Sequence, residues 1–149
     1  MITAPPLATI GYEGTALDAV LRLLTDAGVA HLLDIRAVPN SRKPGFSKRL
    51  LEASAIDRGI RYTHLRALGT PKAGREAVRH GDPATMRRIF CAHMESDTAQ
   101  AELAQATAIA QEAPACLLCF ERDHTHCHRS IVAEMISTRT GQSIRHLAV

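Results

Sequence analysis

Residues 16–35 read ALDAVLRLLTDAGVAHLLDI, and this stretch holds the pattern that decides the fold. Leucine or valine stands at positions 17, 20, 21 and 24, the spacing of one face of an α-helix. Gly28 then suits the left-handed turn that ends a helix, and residues 29–35 are typical of a strand. A helix, a glycine and a strand in this order indicate α/β winding.

The same unit occurs twice more along the chain. Its predicted copies are helix 46–58, Gly59 and strand 60–64, then a helix around residues 131–136, Gly141 and strand 143–147. Further strands are predicted at residues 7–11 and 115–120, the second being a continuous apolar run of the kind that central parallel strands show. Residues 66–81 are predicted to be a loop, followed by two helices that begin near Pro83 and Asp97.

These elements predict the fold class. We expect one α/β domain over residues 1–149, with about five mainly parallel strands and helices on both faces of the sheet. In such a sheet, ligands bind where the carboxyl ends of the strands lead into the following loops. Polar side chains in those loops are therefore the candidates for a functional site.

Composition limits the class of protein. Of the 149 residues, 46% are hydrophobic and 22% charged, as in globular domains. The longest apolar run has far fewer than the ~20 residues of a membrane-spanning helix. Residues 1–6 lack the basic and apolar parts of a secretory signal, so we expect a cytoplasmic protein that does not bind membranes. Its four cysteines are then expected to be free thiols: Cys91, Cys116, Cys119 and Cys127.

Charge is distributed unevenly along the chain. Residues 36–88 carry thirteen Lys or Arg and four acidic residues, whereas the whole chain has a net charge of only +3. A basic middle segment in an otherwise acidic chain indicates a positive surface for an anionic ligand. A solvated basic face with no ligand fits the same pattern.

Six residues at the predicted strand ends are candidates for substrate binding: Tyr12, Glu13, Arg36, Ser41, Arg42 and Arg129. Arginine binds phosphate and carboxylate groups through two parallel hydrogen bonds, so Arg36, Arg42 and Arg129 are expected to hold an anion. Glu13 lies in a glycine turn and would repel a phosphate placed on it, which favours a role as an acid, a base or a ligand.

Four residues are candidates for catalysis: Asp34, Glu121, Cys127 and His128. Glu121 follows a buried strand, where burial raises the pKa of a carboxyl and suits general acid–base chemistry. Cys127 begins the last helix beside two histidines and an arginine, which together favour a thiolate. Structural roles remain open for three of these residues. Asp34 could form an ion pair with Arg36, and Glu121 could form one with Arg129 or Arg36. Cys127 could serve in packing or in capping the helix.

Metal binding is considered at two places. Residues 124–128 hold four metal-capable side chains, but no second pair of ligands follows at a fixed spacing, so no metal is predicted. Cys116 and Cys119 stand three positions apart in a predicted strand and therefore point to opposite faces. They are not expected to share a metal ion.

In combination and in this order, the motifs resemble those of the DUF488 family, a domain of unknown function. The matching pieces are TIGY at 9–12, DIR at 34–36, SR at 41–42, GIRY at 59–62, LG at 68–69, LCFE at 118–121, CHR at 127–129 and HL at 146–147. The resemblance implies a Rossmann-like three-layer sandwich. Glu13 and Thr70 depart from the family pattern, which has a small hydroxyl residue and a glycine there.

The site residues favour an enzyme, a hydrolase or transferase that acts on a phosphate-bearing small molecule or nucleic acid. One alternative is a non-catalytic module that binds nucleic acid through residues 36–88. The other is a metal- or redox-sensing domain centred on residues 124–128. The predicted partner is thus an anionic small molecule or a nucleic acid, and the cofactor and the oligomeric state stay undetermined.

Overall fold

The computed structural model describes residues 4–149, so residues 1–3, on which the prediction about a secretory signal partly rests, lie outside it. The five strands are β1 (Leu7–Gly11), β2 (His31–Asp34), β3 (Arg61–His64), β4 (Ala115–Cys119) and β5 (Ile144–His146). All pairings among them are parallel. The predicted set of five mainly parallel strands is therefore confirmed.

Six helices connect the strands. They are α1 (Leu17–Asp26), α2 (Lys48–Asp57), α3 (Lys72–Arg79), α4 (Pro83–His93), α5 (Asp97–Glu112) and α6 (His128–Thr140), with short 3-10 helices at Arg66–Leu68 and His124–His126. The prediction of a loop over residues 66–81 is wrong, because α3 occupies its second half. The other predicted helices are present.

The strand order in the sheet is β3-β2-β4-β1-β5. The central strand β4 pairs with β1 through Ala8 and Cys116, and with β2 through His31 and Ala115. Every residue of β4 is buried, as the continuous apolar run predicts.

Helices cover both faces of this sheet and form two cores. Successive side chains of a strand point to opposite faces, so within β4 Cys116 joins the core beneath α1 and α2, while Leu117 joins the core beneath α4, α5 and α6. Leu32 and Leu33 of β2 divide in the same way. The architecture is a three-layer α/β sandwich, as expected.

Across residues 4–149, no helix combines the length and the apolar character that crossing a membrane requires.

Candidate functional site

A cleft of about 850 Å³ opens at the carboxyl edge of the sheet. Residues that follow β1 and β4 line one part of it, and the loop after β2 together with α3 lines the rest. Chains leaving β1 and β2 turn to one face of the sheet, whereas the chain leaving β4 turns to the other. Such a divergence creates the crevice in which α/β proteins commonly bind ligands.

The cleft gathers most of the predicted site. Seven of the ten predicted residues line it: Tyr12, Glu13, Arg36, Ser41, Arg42, Glu121 and His128. Asp34, Cys127 and Arg129 are buried and do not line it. These three residues support the site from within the protein.

Asp34 and Arg36 form a buried ion pair at the end of β2. The Arg36 Nε donates to Asp34 Oδ1 over 2.8 Å, and its Nη2 donates to Oδ2 over 2.7 Å. The Asp34 carboxylate also accepts the backbone N–H of Arg36 and the hydroxyl of Tyr62. With its oxygens occupied in this way, Asp34 orients Arg36 and has no contact with the cleft.

Arg36 is almost fully occupied by protein groups as well. Its Nη1 donates to the Tyr12 hydroxyl over 3.0 Å and to the carbonyl of Phe46 over 2.6 Å. A guanidinium has five N–H donors, so these four bonds leave one N–H of Nη2 for a ligand. The stacked rings of Tyr12 and Phe46, with centroids 4.1 Å apart, hold the hydroxyl in position.

Arg129 supports the loop that follows β4. Its guanidinium donates to Thr9 Oγ1 in β1 and to the backbone carbonyls of Glu121 and Arg122. The side chain is only 1% exposed. These bonds give Arg129 a positioning role in the structure, and its contact with a ligand stays a prediction.

Gly11 permits this arrangement. A Cβ atom at position 11 would lie 1.8 Å from the carbonyl oxygen of Glu121 and 2.7 Å from Nη1 of Arg129. Separations below 3.0 Å are essentially never seen for real Cβ atoms. The end of β1 and the loop after β4 thus approach each other as closely as a glycine allows.

His128 stands at the start of α6 with its ring buried. Its Nε2 lies 2.8 Å from the carbonyl oxygen of Ile35, so Nε2 carries the hydrogen and Nδ1 keeps its lone pair. Burial lowers the pKa of His128 to about 4. The ring is consequently neutral near pH 7, with Nδ1 facing the sulfur of Cys127 at 3.6 Å.

Glu121 lies partly exposed in the cleft, immediately after β4. Its Oε2 is 3.4 Å from the sulfur of Cys127. Burial raises the pKa of the Glu121 carboxyl above its ordinary value. A carboxyl of this kind exchanges a proton close to neutral pH more readily than an exposed glutamate does.

The sulfurs of Cys119 and Cys127 are in direct contact, with the two Cα atoms 7.6 Å apart. Cys91 and Cys116 are free, as predicted, and free thiols at Cys119 and Cys127 stay a prediction. The contact is tertiary: the end of β4 meets the N-cap of α6, eight positions further along the sequence. Cys127 also caps α6 by accepting the backbone N–H of Arg129.

The loop after β2 contributes the exposed part of the site. Ser41 accepts the backbone N–H of Lys43 through its hydroxyl, which shapes the loop. Arg42 is exposed and lines the cleft. Within residues 4–149, no carboxylate forms an ion pair with Arg42.

Nine cleft residues were not predicted from the sequence, among them two arginines and an exposed aromatic ring. Arg75 and Arg79, four positions apart on α3, lie on one face of that helix and line the cleft. Phe120 is 46% exposed, and its ring meets the Tyr12 ring edge-on. The only sequence signal for the arginines was the basic segment as a whole, since the helix that presents them was predicted to be a loop.

The histidines of residues 124–128 are not gathered around one point. His124 stacks on His146, His126 pairs with Asp123, and His128 bonds to the main chain. In the described part of the chain, one group of three metal-capable side chains is found, with donor atoms within 4.8 Å of one another. It consists of Cys119, Glu121 and Cys127, and its two sulfurs are in contact with each other.

The comparison with protein families finds one match. The family described as "Domain of unknown function DUF488" matches residues 16–136, which run from the start of α1 into α6 and include every predicted site residue except Tyr12 and Glu13. No curated protein matches the chain.

Proposed function

The chain belongs to the DUF488 family, whose description assigns no function, and from its cleft we propose that it is an enzyme. It acts as a hydrolase or transferase on a phosphate-bearing small molecule or nucleic-acid end. The proposal rests on one observation above all: arginines without ion-pair partners and a partly exposed carboxyl of raised pKa line the same cleft.

Three arginines supply the binding charge. Arg42, Arg75 and Arg79 line the cleft, and no carboxylate within residues 4–149 forms an ion pair with any of them. Arg75 is aimed by a hydrogen bond of 2.8 Å from its Nη1 to the carbonyl of Thr70. Guanidinium groups without carboxylate partners suit the oxygens of a phosphate, to which they donate two bonds at once.

Glu121 supplies the proton transfer. In its protonated form the carboxyl donates a proton to the leaving oxygen, and in its ionised form it takes one from the attacking water or hydroxyl group. Arg36 lines the cleft and retains one N–H, which can bond to charge that develops on a phosphate oxygen. The buried Asp34 holds that guanidinium in place.

The test begins with a thermal-shift screen of nucleoside phosphates and sugar phosphates. A compound at 100 times its dissociation constant stabilises the fold by ~2.7 kcal/mol. We expect Arg75→Ala and Arg79→Ala each to weaken binding of the best compound by a factor of about 10 to 150, since a hydrogen bond to a charged group contributes about 1.5–3 kcal/mol. Glu121→Gln should retain binding and lower turnover by a factor of at least about 100.

Arg49→Ala is the matched control. Arg49 is exposed on α2, belongs to the basic segment and does not line the cleft. If Arg49→Ala weakens binding as much as the cleft variants do, and binding falls steeply with salt, the protein is instead a nucleic-acid-binding module. Full activity in Glu121→Gln would refute the assigned proton transfer. The cytoplasmic location stays a prediction.

A further inference from the structure

The Cys119–Cys127 pair lies in an environment that differs sharply between its two sulfurs. Nη1 of Arg129 lies 3.1 Å from the sulfur of Cys119, and Cys119 lines the cleft. The sulfur of Cys127 lies 3.4 Å from Oε2 of Glu121. A cation thus adjoins one sulfur and a proton acceptor adjoins the other.

From this arrangement we propose that Cys119 and Cys127 form a reversible dithiol–disulfide pair that reduces hydroperoxides. Cys119 is the thiol that attacks the oxidant, because it lines the cleft and the guanidinium of Arg129 stabilises its thiolate. Cys127 is the resolving thiol, because its sulfur lies in contact with that of Cys119 in the structure. The proposal does not depend on the phosphate ligand.

The oxidation consumes one molecule of hydrogen peroxide and releases two molecules of water. The Cys119 thiolate attacks one oxygen of hydrogen peroxide, the O–O bond breaks, and the departing hydroxide takes up a proton to leave as water, giving a sulfenic acid. Cys127 passes its proton to Glu121 and attacks the sulfenic sulfur, so the S–S bond forms and the S–O bond breaks. The departing hydroxide takes the proton from Glu121 and leaves as a second water. An external dithiol then reduces the disulfide and is itself oxidised to a disulfide.

The other two cysteines lack such an environment. Cys116 is fully buried within the core, and burial raises the pKa of its thiol. Cys91 is exposed on α4, away from the cleft. Because a thiolate is the reactive form of cysteine, Cys116 is expected to be inert. Cys91 has no partner cysteine in the structure and serves as an internal control.

The experiment is carried out on the folded full-length chain. A stoichiometric amount of hydrogen peroxide added under native conditions should lower the number of thiols, titrated after unfolding, from four to two, and dithiothreitol should restore four. Trypsin cleaves after Arg122, which separates Cys119 in peptide 89–122 from Cys127 in peptide 123–129. In the oxidised protein the two peptides should remain linked, and fragmentation should locate the bridge at Cys119.

Variants then separate the two roles. Cys127→Ala should accumulate a sulfenic acid at Cys119 that dimedone traps, whereas Cys119→Ala should consume no peroxide at Cys127. Cys91→Ser should cycle like the unmodified protein. A disulfide that resists dithiothreitol in the folded protein, or a reduced protein that peroxide does not return to the linked form, would overturn the proposal. Both results can be measured on the unmodified chain, even if a variant fails to fold.

Discussion

The ring of His128 is buried and neutral, and this has a consequence for stability. In the unfolded chain a histidine takes up a proton near pH 6.5, whereas in the folded protein burial lowers the pKa of His128 to about 4. Between these values the unfolded state binds a proton that the folded state does not. Stability therefore falls as the pH drops through that window.

We predict that His128 alone makes the protein about 3 kcal/mol less stable at pH 4 than at pH 7, because each unit of pKa shift corresponds to about 1.4 kcal/mol. His128→Gln keeps an N–H donor for the carbonyl of Ile35 and cannot titrate. The difference between its stability at pH 7 and at pH 4 should therefore be smaller by this amount. Urea unfolding at several pH values measures the difference. His80→Gln, at an exposed position, should retain the pH dependence of the unmodified protein.

The sequence predicts seven of the residues that line the candidate cleft, but it could not assign roles to single side chains. The spacing of Asp34 and Arg36 predicts that they share a face, yet only the structure shows that they largely satisfy each other. Arg129 looks like a ligand-binding residue beside Cys127. Its true partners, Thr9 and two carbonyls of the loop after β4, are distant or depend on how that loop folds.

Helix α3 shows why an element can escape prediction. Its sequence, KAGREAVR, contains a glycine and offers only a short apolar face, so the periodic pattern that reveals other helices is missing. The helix packs on α4, where a Cβ at Gly74 would lie 3.6 Å from Cγ2 of Ile89, and that Cβ would lie only 2.5 Å from Cγ2 of Thr70, which precedes α3. Tertiary packing overrides a weak local preference here.

This close approach leads to a prediction. Gly74→Ala should destabilise the protein by about 1–3 kcal/mol, because the side chain of Thr70 is buried and branched at Cβ and cannot easily move aside. Thr70→Ser removes the obstructing methyl group. In that background, Gly74→Ala should instead stabilise the helix by up to about 1 kcal/mol. Thermal unfolding of both single variants and the double variant measures this reversal, and additive effects would contradict it.

The strands were predicted well for identifiable reasons. Gly28, Gly59 and Gly141 all have φ near +75°, as expected of glycines that end helices, and each marks the boundary before a strand. The observed strands lie within the predicted ranges. Local patterns specify such boundaries because they depend on a few neighbouring residues.

The order of the strands lies beyond such local patterns. β4 is inserted between β1 and β2, and this insertion brings Glu121 into one cleft with Tyr12 and Arg36. The general rule that strand ends carry ligands predicted that these residues would meet. It could not predict that the sulfurs of Cys119 and Cys127 are in contact or that α3 lines the cleft, because both follow from tertiary packing.

The central place of β4 also matters while the protein is being synthesised. β1 pairs only with β4 and β5, so no strand partner for it exists until the ribosome has released Ala115, at position 115 of 149. Until then β1 and the β2–β3 pair remain unjoined, with apolar edges open to chaperones and to other nascent chains. Ribosome-bound chains stalled before Ala115 should therefore show rapid hydrogen exchange in β1, and chains released beyond β5 should show protection. Protection of β1 in the shorter chains would contradict this order of assembly.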